Sequence, residues 1–535
     1  MARSLSREIL FRLTPTLLVL LVFLLGFLGA PEDSGWLNRT PLWARGDPFY
    51  SSDDMFVASP LLIWRGTPGA SGSLESRWLG VENRWSHNAH GLRDDAVSAE
   101  KGNDTQRILN LGDSATWGLN LDDRSQTYSD QLESILAERH RSRKATGENG
   151  PAYEVINAGT IGYSSFQGVQ FLREHLQRLD PDVVTVYLGN NDPMQSRLKD
   201  ADRIPDRLSD VHRILSGNVF YLLLRKAFYA LLWQTSLSAQ HELEELVSRE
   251  RTLEGYASKA DYYRLLARVA PDEYEQNLRD MVALVNEHGA RLILLEVPMN
   301  LPWPPPLPKP TPTVALRDRQ YWSAVQIEPR YLARQRAGQP PGERSLAGHP
   351  YLSLLTPKQF DAHLGDRSER VLRGFRQALA DPAAPHPMKI LALHNLGVWH
   401  LIQGDRSTAS KQIARAAERI RACGDCPTPA STAMNHYMQG VVDLLESRRD
   451  DAFDHFLKSR QTWPFAMSPD YARRFSRVVS DLDVEWIDLP RLFASRDPEF
   501  RGSRLMHDWV HPNEFGSRII AEALAERIGP RVEHQ

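Results

Sequence analysis

Gly112-Asp113-Ser114 closes an apolar run, and Asp508-Trp509-Val510-His511-Pro512 lies far downstream, near the C-terminus. The first segment sets a hydroxyl on a turn after a predicted strand. The second carries a carboxylate and an imidazole three residues apart. Serine chemistry needs a nucleophile, a base to take its proton and a group that orients the base. Ser114, His511 and Asp508 are of those three types. Each segment alone is weak: a serine after a strand is more often a helix cap than a nucleophile, and Pro512 with Asn513 could simply open the last helix. Two more segments strengthen them. Asn157-Ala158-Gly159 and Gly189-Asn190-Asn191-Asp192 each end a predicted strand. The backbone N–H of Gly159 and the side-chain amide of Asn191 are suited to receive an oxyanion together with the N–H of Ser114. Both are also ordinary turn residues. Asp113 and Asp192 are assigned structural roles.

Positioning these groups requires strands that end at one edge. Arg107–Leu111, Glu154–Ala158, Asp182–Leu188, Ala290–Val297 and Val484–Leu489 read as near-continuous apolar strands. Helical spacing covers Tyr128–Glu138, Gly168–Arg178 and Ser517–Ile528. Such alternation predicts an α/β domain, a parallel sheet covered on both faces. Ligands in such folds bind at the carboxyl ends of the strands, where all four segments lie.

In these four blocks the chain resembles the SGNH hydrolases, the GDSL-type esterase and lipase superfamily. Gly112-Asp113-Ser114, Gly159, Gly189 to Asp192 and Asp508 to His511 stand in the family's order. Ala115 replaces the leucine of the family's name. The resemblance covers residues 105–195, 270–300 and 475–530. It implies a flavodoxin-like three-layer α/β/α sandwich with a five-stranded parallel sheet. It also implies ester hydrolysis through an acyl-enzyme, without metal or cofactor: Ser114, Asp508 and His511 catalytic, and Ser114, Gly159 and Asn191 forming the oxyanion hole.

The length of 535 residues leaves room for more than this domain. The net charge is −3, and no basic blocks interleaved with aromatics occur, which argues against nucleic acid as a partner. Residues 13–30 form an uncharged apolar run, about 27 Å long as a helix and close to the hydrocarbon thickness of a bilayer. Arg3, Arg7 and Arg12 precede it, so residues 1–31 are expected to be a cytoplasmic stub and transmembrane signal anchor, with the remainder across the plasma (inner) membrane in the periplasm. A cleaved signal peptide is the alternative, and Leu28 at the −3 position speaks against it.

Residues 32–104 read as an extended approach segment. The first part of the hydrolase domain, 105–300, carries a helical insertion over about 195–285. A Pro-rich linker and irregular insertion follow over 301–385, opened by Leu301-Pro302-Trp303-Pro304-Pro305-Pro306. Residues 386–466 read as a tetratricopeptide-like helical insertion. Leu396, Gly397, His400, Ala409, Ile413 and Ala416 match the small and large positions of such a repeat, and Gly440, Ala452, Phe456 and Pro464 repeat the offsets in a second copy, the copies lying about 43 residues apart rather than the usual 34. A plain helical hairpin competes with that reading. Cys423 and Cys426, the only two cysteines, suit a local staple or two idle thiols. The last part of the hydrolase domain is 467–535.

The expected function is therefore a serine esterase acting on cell-envelope or other extracytoplasmic esters. An O-acyltransferase or acetylesterase for envelope polysaccharide is the alternative. A non-catalytic envelope scaffold that binds a protein partner through its helical repeats is the second.

Overall fold

A computed structural model describes residues 55–59, 61–76, 81–98, 100–148, 150–194, 196, 199–203, 221, 224, 267–298, 368–382, 386–402, 404–422, 429–462, 469–497, 504–507 and 510–529. The apolar run at 13–30, the Pro-rich segment at 301–308, Cys423, Cys426, Pro464 and Asp508 lie outside these residues. Among the described residues no helix is long and apolar enough to cross a membrane.

Structure begins ahead of the main sheet. Phe56–Ser59 (β1) pairs antiparallel with Ile63–Gly66 (β2), and Ser71–Ser76 (β3) with Val81–Ser86 (β4). The expectation of an extended approach across 32–104 is replaced, over its described part, by two hairpins. Leu62, Ile63, Trp64 and Leu92 belong to the core of the sheet domain. Ile63 and Trp64 of β2 are buried in that core, a long-range effect that their local sequence does not announce.

Five strands form the main sheet: Thr105–Gly112 (β5), Ala152–Gly159 (β6), Val183–Tyr187 (β7), Arg291–Glu296 (β8) and Glu485–Asp488 (β9). All pairings are parallel, in the order β6-β5-β7-β8-β9. This is the flavodoxin-like doubly wound order. The reason lies in composition. Ile108, Leu109 and Leu111 are fully buried, as are Val184, Ile293 and Leu294, because helices cover both faces. The order reverses at β5, which feeds β6 on one side and β7 on the other.

Helices supply the covering layers. Ser114–Trp117 (α1) is a single turn directly after β5. Tyr128–Ala145 (α2) starts at Thr127, whose hydroxyl accepts the N–H of Asp130 at 3.3 Å. Ser165–Leu179 (α3) opens with a capping box between Ser164 and Gln167. Asp200–Arg203 (α4) is short, and Pro271–His288 (α5) starts with proline in its first turn. A separate helical region follows: Ser368–Ala380 (α6), His386–Ile402 (α7), Arg406–Ala422 (α8), Pro429–Leu445 (α9) and Arg449–Thr462 (α10). Pro469–Leu482 (α11) leads back to β9, and Leu489–Arg496 (α12) and Glu514–Ile528 (α13) close the chain. Helices α3 and α5 contact each other, as do α2 and α13.

Helices α7 with α8, and α9 with α10, make two packed hairpins. Gly397 lies against Ile413 and Gly440 against Phe456, at the same offset in both copies. Two helical hairpins thus stand where the repeat is expected. Their pairing does not by itself identify a tetratricopeptide, since any close antiparallel helix pair needs small residues at the contact.

Candidate active site

Ser114 stands at the carboxyl end of β5, at the point where the strand order reverses. Its Oγ lies 2.8 Å from Nε2 of His511, across 397 residues of sequence. The turn that carries it is tight. A Cβ on Gly112 would meet Thr116 Oγ1 at 1.9 Å and the carbonyl oxygen of Tyr187 at 2.9 Å, so no side chain fits there. Asp113 Oδ1 accepts the N–H of Ala115 at 2.9 Å and caps the short helix.

His511 is held by a hairpin of the chain upon itself. Met506 and Pro512 form an antiparallel bridge, the His507 N–H donates to the His511 carbonyl at 2.8 Å, and the Asn513 N–H donates to Leu505 O at 2.9 Å. Asn513 then caps α13 by accepting the Gly516 N–H at 3.0 Å. Asp508 lies outside the described residues, so two of the three catalytic candidates are placed, and they meet.

The other two blocks arrive at the same edge. Gly112 pairs with Gly159 in one ladder and with Tyr187 in the other. Asp113 Oδ2 accepts from Asn190 Nδ2 at 3.1 Å and from Asn191 Nδ2 at 3.5 Å, tying the end of β7 to the serine turn. Asp113 is fully buried, which pushes its carboxyl up to about 6, although the N–H of Ala115, the charge of His511 and the amide of Asn190 act the other way. Asp192, also buried, accepts from the N–H and hydroxyl of Ser165. Burial pushes it up to about 7. Both aspartates lie under the site.

The two expected oxyanion donors hold internal acceptors in this structure. The Gly159 N–H donates to Asn157 Oδ1 at 3.0 Å, and Asn191 Nδ2 donates to Tyr163 O at 2.9 Å. Asn191 Nδ2 also makes the long contact to Asp113. Gly159 is packed so closely on α1 that a Cβ would lie 2.2 Å from Trp117 N.

Residues that local sequence patterns did not single out brace this edge. Trp64 Nε1 donates to Ile161 O at 3.0 Å, and Arg268 Nη1 donates to Gly162 O at 2.6 Å. Arg93 Nη1 donates to the carbonyls of Trp117 and Gly118 at 3.1 and 2.7 Å, with its guanidinium 4.2 Å from the Trp117 ring centre. Trp117 Nε1 donates to His87 Nε2 at 3.2 Å, and burial lowers His87 to about 4, so it stays neutral. The one available signal was the density of Trp and Arg in a stretch without a strand pattern. Among the described residues no group of three or more His, Cys, Asp or Glu is spaced to hold a metal.

Residues 111–328 match the model of the GDSL-like Lipase/Acylhydrolase family. No curated protein matches the chain. Similar solved structures include TesA, 19% identical over 50% of this chain and 99% of that one, with a TM-score of 0.20. The acetyl xylan esterase AlAXEase is 11% identical over 79% and 99%, with a TM-score of 0.27. AlinE4, an SGNH-hydrolase family esterase, is 14% identical over 51% and 98%, with a TM-score of 0.19. The matched residues include Ser114, Gly159 and Asn191, and the chain is an ester-hydrolysing enzyme whose residues 111–328 are similar to the GDSL-like Lipase/Acylhydrolase family.

Proposed function

We propose that the chain is a serine esterase that works through an acyl-enzyme on Ser114. His511 Nε2 takes the proton of Ser114 Oγ as the oxygen attacks the ester carbonyl carbon. The carbonyl π electrons move onto oxygen, which is received by the N–H groups of Ser114 and Gly159 and the amide of Asn191. The oxyanion competes with Asn157 for Gly159 and draws Asn191 from its long contact to Asp113. Each such donor is worth about 3 kcal/mol in the transition state. Collapse expels the alcohol, protonated by His511. Water, deprotonated by the same imidazole, then attacks the acyl carbon, and His511 returns that proton to Ser114 Oγ as the acyl bond breaks and the acid leaves. Asp508 is assigned the other ring nitrogen of His511.

The reading rests on one observation: the 2.8 Å contact between Ser114 Oγ and His511 Nε2 at the sheet's switch point. Ser114→Ala is expected to abolish hydrolysis of a short p-nitrophenyl ester while leaving thermal unfolding unchanged. Turnover retained by that variant would refute the assignment.

The apolar run at 13–30 behind Arg3, Arg7 and Arg12 supports a site anchored on the outer side of the plasma membrane, facing envelope esters. There a sugar hydroxyl can replace water as the acceptor of the acyl group. With an acetylated donor and an oligosaccharide, acyl-sugar exceeding free acetate would favour transfer over hydrolysis.

A further inference from the structure

The loop between Gly159 and α3 has four successive carbonyls, and each is held by a donor. Thr160 O accepts the Tyr163 N–H at 3.1 Å. Ile161 O accepts from Trp64 Nε1, Gly162 O from Arg268 Nη1, and Tyr163 O from Asn191 Nδ2. Three of these donors are side chains from separate parts of the chain: the β2 strand, the segment before α5, and the end of β7. The Thr160 N–H in turn donates to Gly112 O at 3.1 Å, so the loop starts on the serine turn itself.

Arg268 is more than one of several loop contacts. Its Nη2 donates to Asp200 Oδ2 and to Gln167 Oε1, both at 2.8 Å, and its Nε reaches Asp200 Oδ1 at 3.3 Å. The side chains of Arg268 and Asp200 are 1% and 0% exposed. Ser164 Oγ adds a further donor to Asp200 at 2.7 Å. The guanidinium lies 5.2 Å from the Trp64 ring centre, and Tyr163 Oη donates to Trp64 O at 3.0 Å. A buried ion pair is a poor source of net stability, because desolvation of both charges offsets most of the attraction. Its rigid, fork-shaped donor set is instead well suited to fixing a backbone in one place.

We infer that Arg268 and Trp64 are positioning residues for the oxyanion side of the site, holding the turn Thr160–Tyr163 so that Gly159 and Asn191 face Ser114. The inference rests on the esterase reading above. Both reach the turn directly, Trp64 at Ile161 O and Arg268 at Gly162 O, and act through it. The carbonyl of Tyr163 orients the Asn191 amide, and the position of Gly159 follows from the turn that it opens. If the turn relaxes, both donors shift together, while the Ser114–His511 contact remains.

The test uses the full chain with Arg268→Lys, Arg268→Met and Trp64→Phe on a short p-nitrophenyl ester. Misplacing donors by about 1 Å is expected to lower kcat by about 10- to 100-fold, with KM within about twofold of wild type. The shape of the pH–rate profile is expected to stay in place, because the Ser114–His511 contact remains. Arg268→Lys is expected to retain part of what Arg268→Met loses, since an ammonium reaches one of the oxygens but not all. Folded variants with wild-type kcat, or with KM raised and kcat unchanged, would overturn the inference. If the Arg268 variants fail to fold, Trp64→Phe decides, because it leaves the Arg268–Asp200 pair in place: normal kcat in the folded protein would overturn the inference, and a kcat-only loss would support it. Equal turnover by wild type and Ser114→Ala would instead sink the reading of the site and the inference with it, a result that the clamp variants alone cannot produce.

Discussion

Replacing Gly159 by alanine adds one methyl group where three atoms already stand. The new Cβ would lie 2.2 Å from Trp117 N, 2.6 Å from Thr116 C and 2.8 Å from Thr116 Cβ. Ordinary contact starts at 3.4 Å, so β6 and α1 must separate by more than about 1 Å. Neither side yields easily. Strand β6 is pinned to β5 along the whole ladder from Thr105↔Ala152 to Gly112↔Gly159. Helix α1 is tied to β6 by Asn157 Nδ2, which donates to Thr116 O at 2.9 Å. Overpacking of this kind costs about 1–3 kcal/mol. The turn that must move carries Ser114 at its first position, and a 1 Å displacement of reacting groups costs about a hundredfold in rate. Gly159→Ala is thus expected to lower the melting temperature by several degrees and kcat by about two orders of magnitude. Differential scanning calorimetry and p-nitrophenyl ester kinetics would check the two effects together. Wild-type turnover at wild-type melting temperature would refute the packing argument.

Two further substitutions probe charge and the edge of the sheet. Glu296 ends β8 opposite Asp488, and burial, with the Asp488 charge, pushes it up from 4.5 to about 7. A carboxyl with a raised folded pKa contributes stability that is present at acid pH and lost as pH rises through that value, so Glu296→Gln is expected to raise the melting temperature at pH 8 and barely change it at pH 5. Equal shifts at both pH values in thermal scans would contradict this. On the outer side of β6, Asp94 Oδ2 accepts the Asn157 N–H at 2.7 Å, capping a donor that the edge strand leaves without a ladder partner. Asp94→Ala is expected to cost about 1–3 kcal/mol in urea unfolding and to increase self-association by light scattering. No change in either would show that the cap is dispensable.

Much of the catalytic domain was readable in advance because its signals are local. Strands β5 to β8 are apolar runs of the right length, the first three closed by a glycine at or just past their ends, and a doubly covered sheet needs such runs. Their limits shifted by a residue or two, since hydrogen bonding continues until a cap or turn stops it. Gly112 and Gly159 stood out as turn residues, although the reason for them, contact with Thr116, Tyr187 and Trp117, is not visible in a string of letters. The brace around the oxyanion side was opaque for the same reason. Trp64 lies in a four-residue strand with no alternation to betray its partner. Arg268 is a lone cation beside a helix start, and its burial depends on Asp200, which is far along the chain. Likewise, the internal acceptors of Gly159 and Asn191 follow from side-chain placement, not from residue type.

Residue chemistry and the order of the blocks were enough to name the hydroxyl, the imidazole and the parallel sheet, because nucleophile, base and apolar strands each need particular residue types in particular places. Which distant groups hold the loop beside them, and that the segment before β5 belongs to the core, came from folding, because those contacts are chosen by burial and geometry among many side chains equally capable of making them.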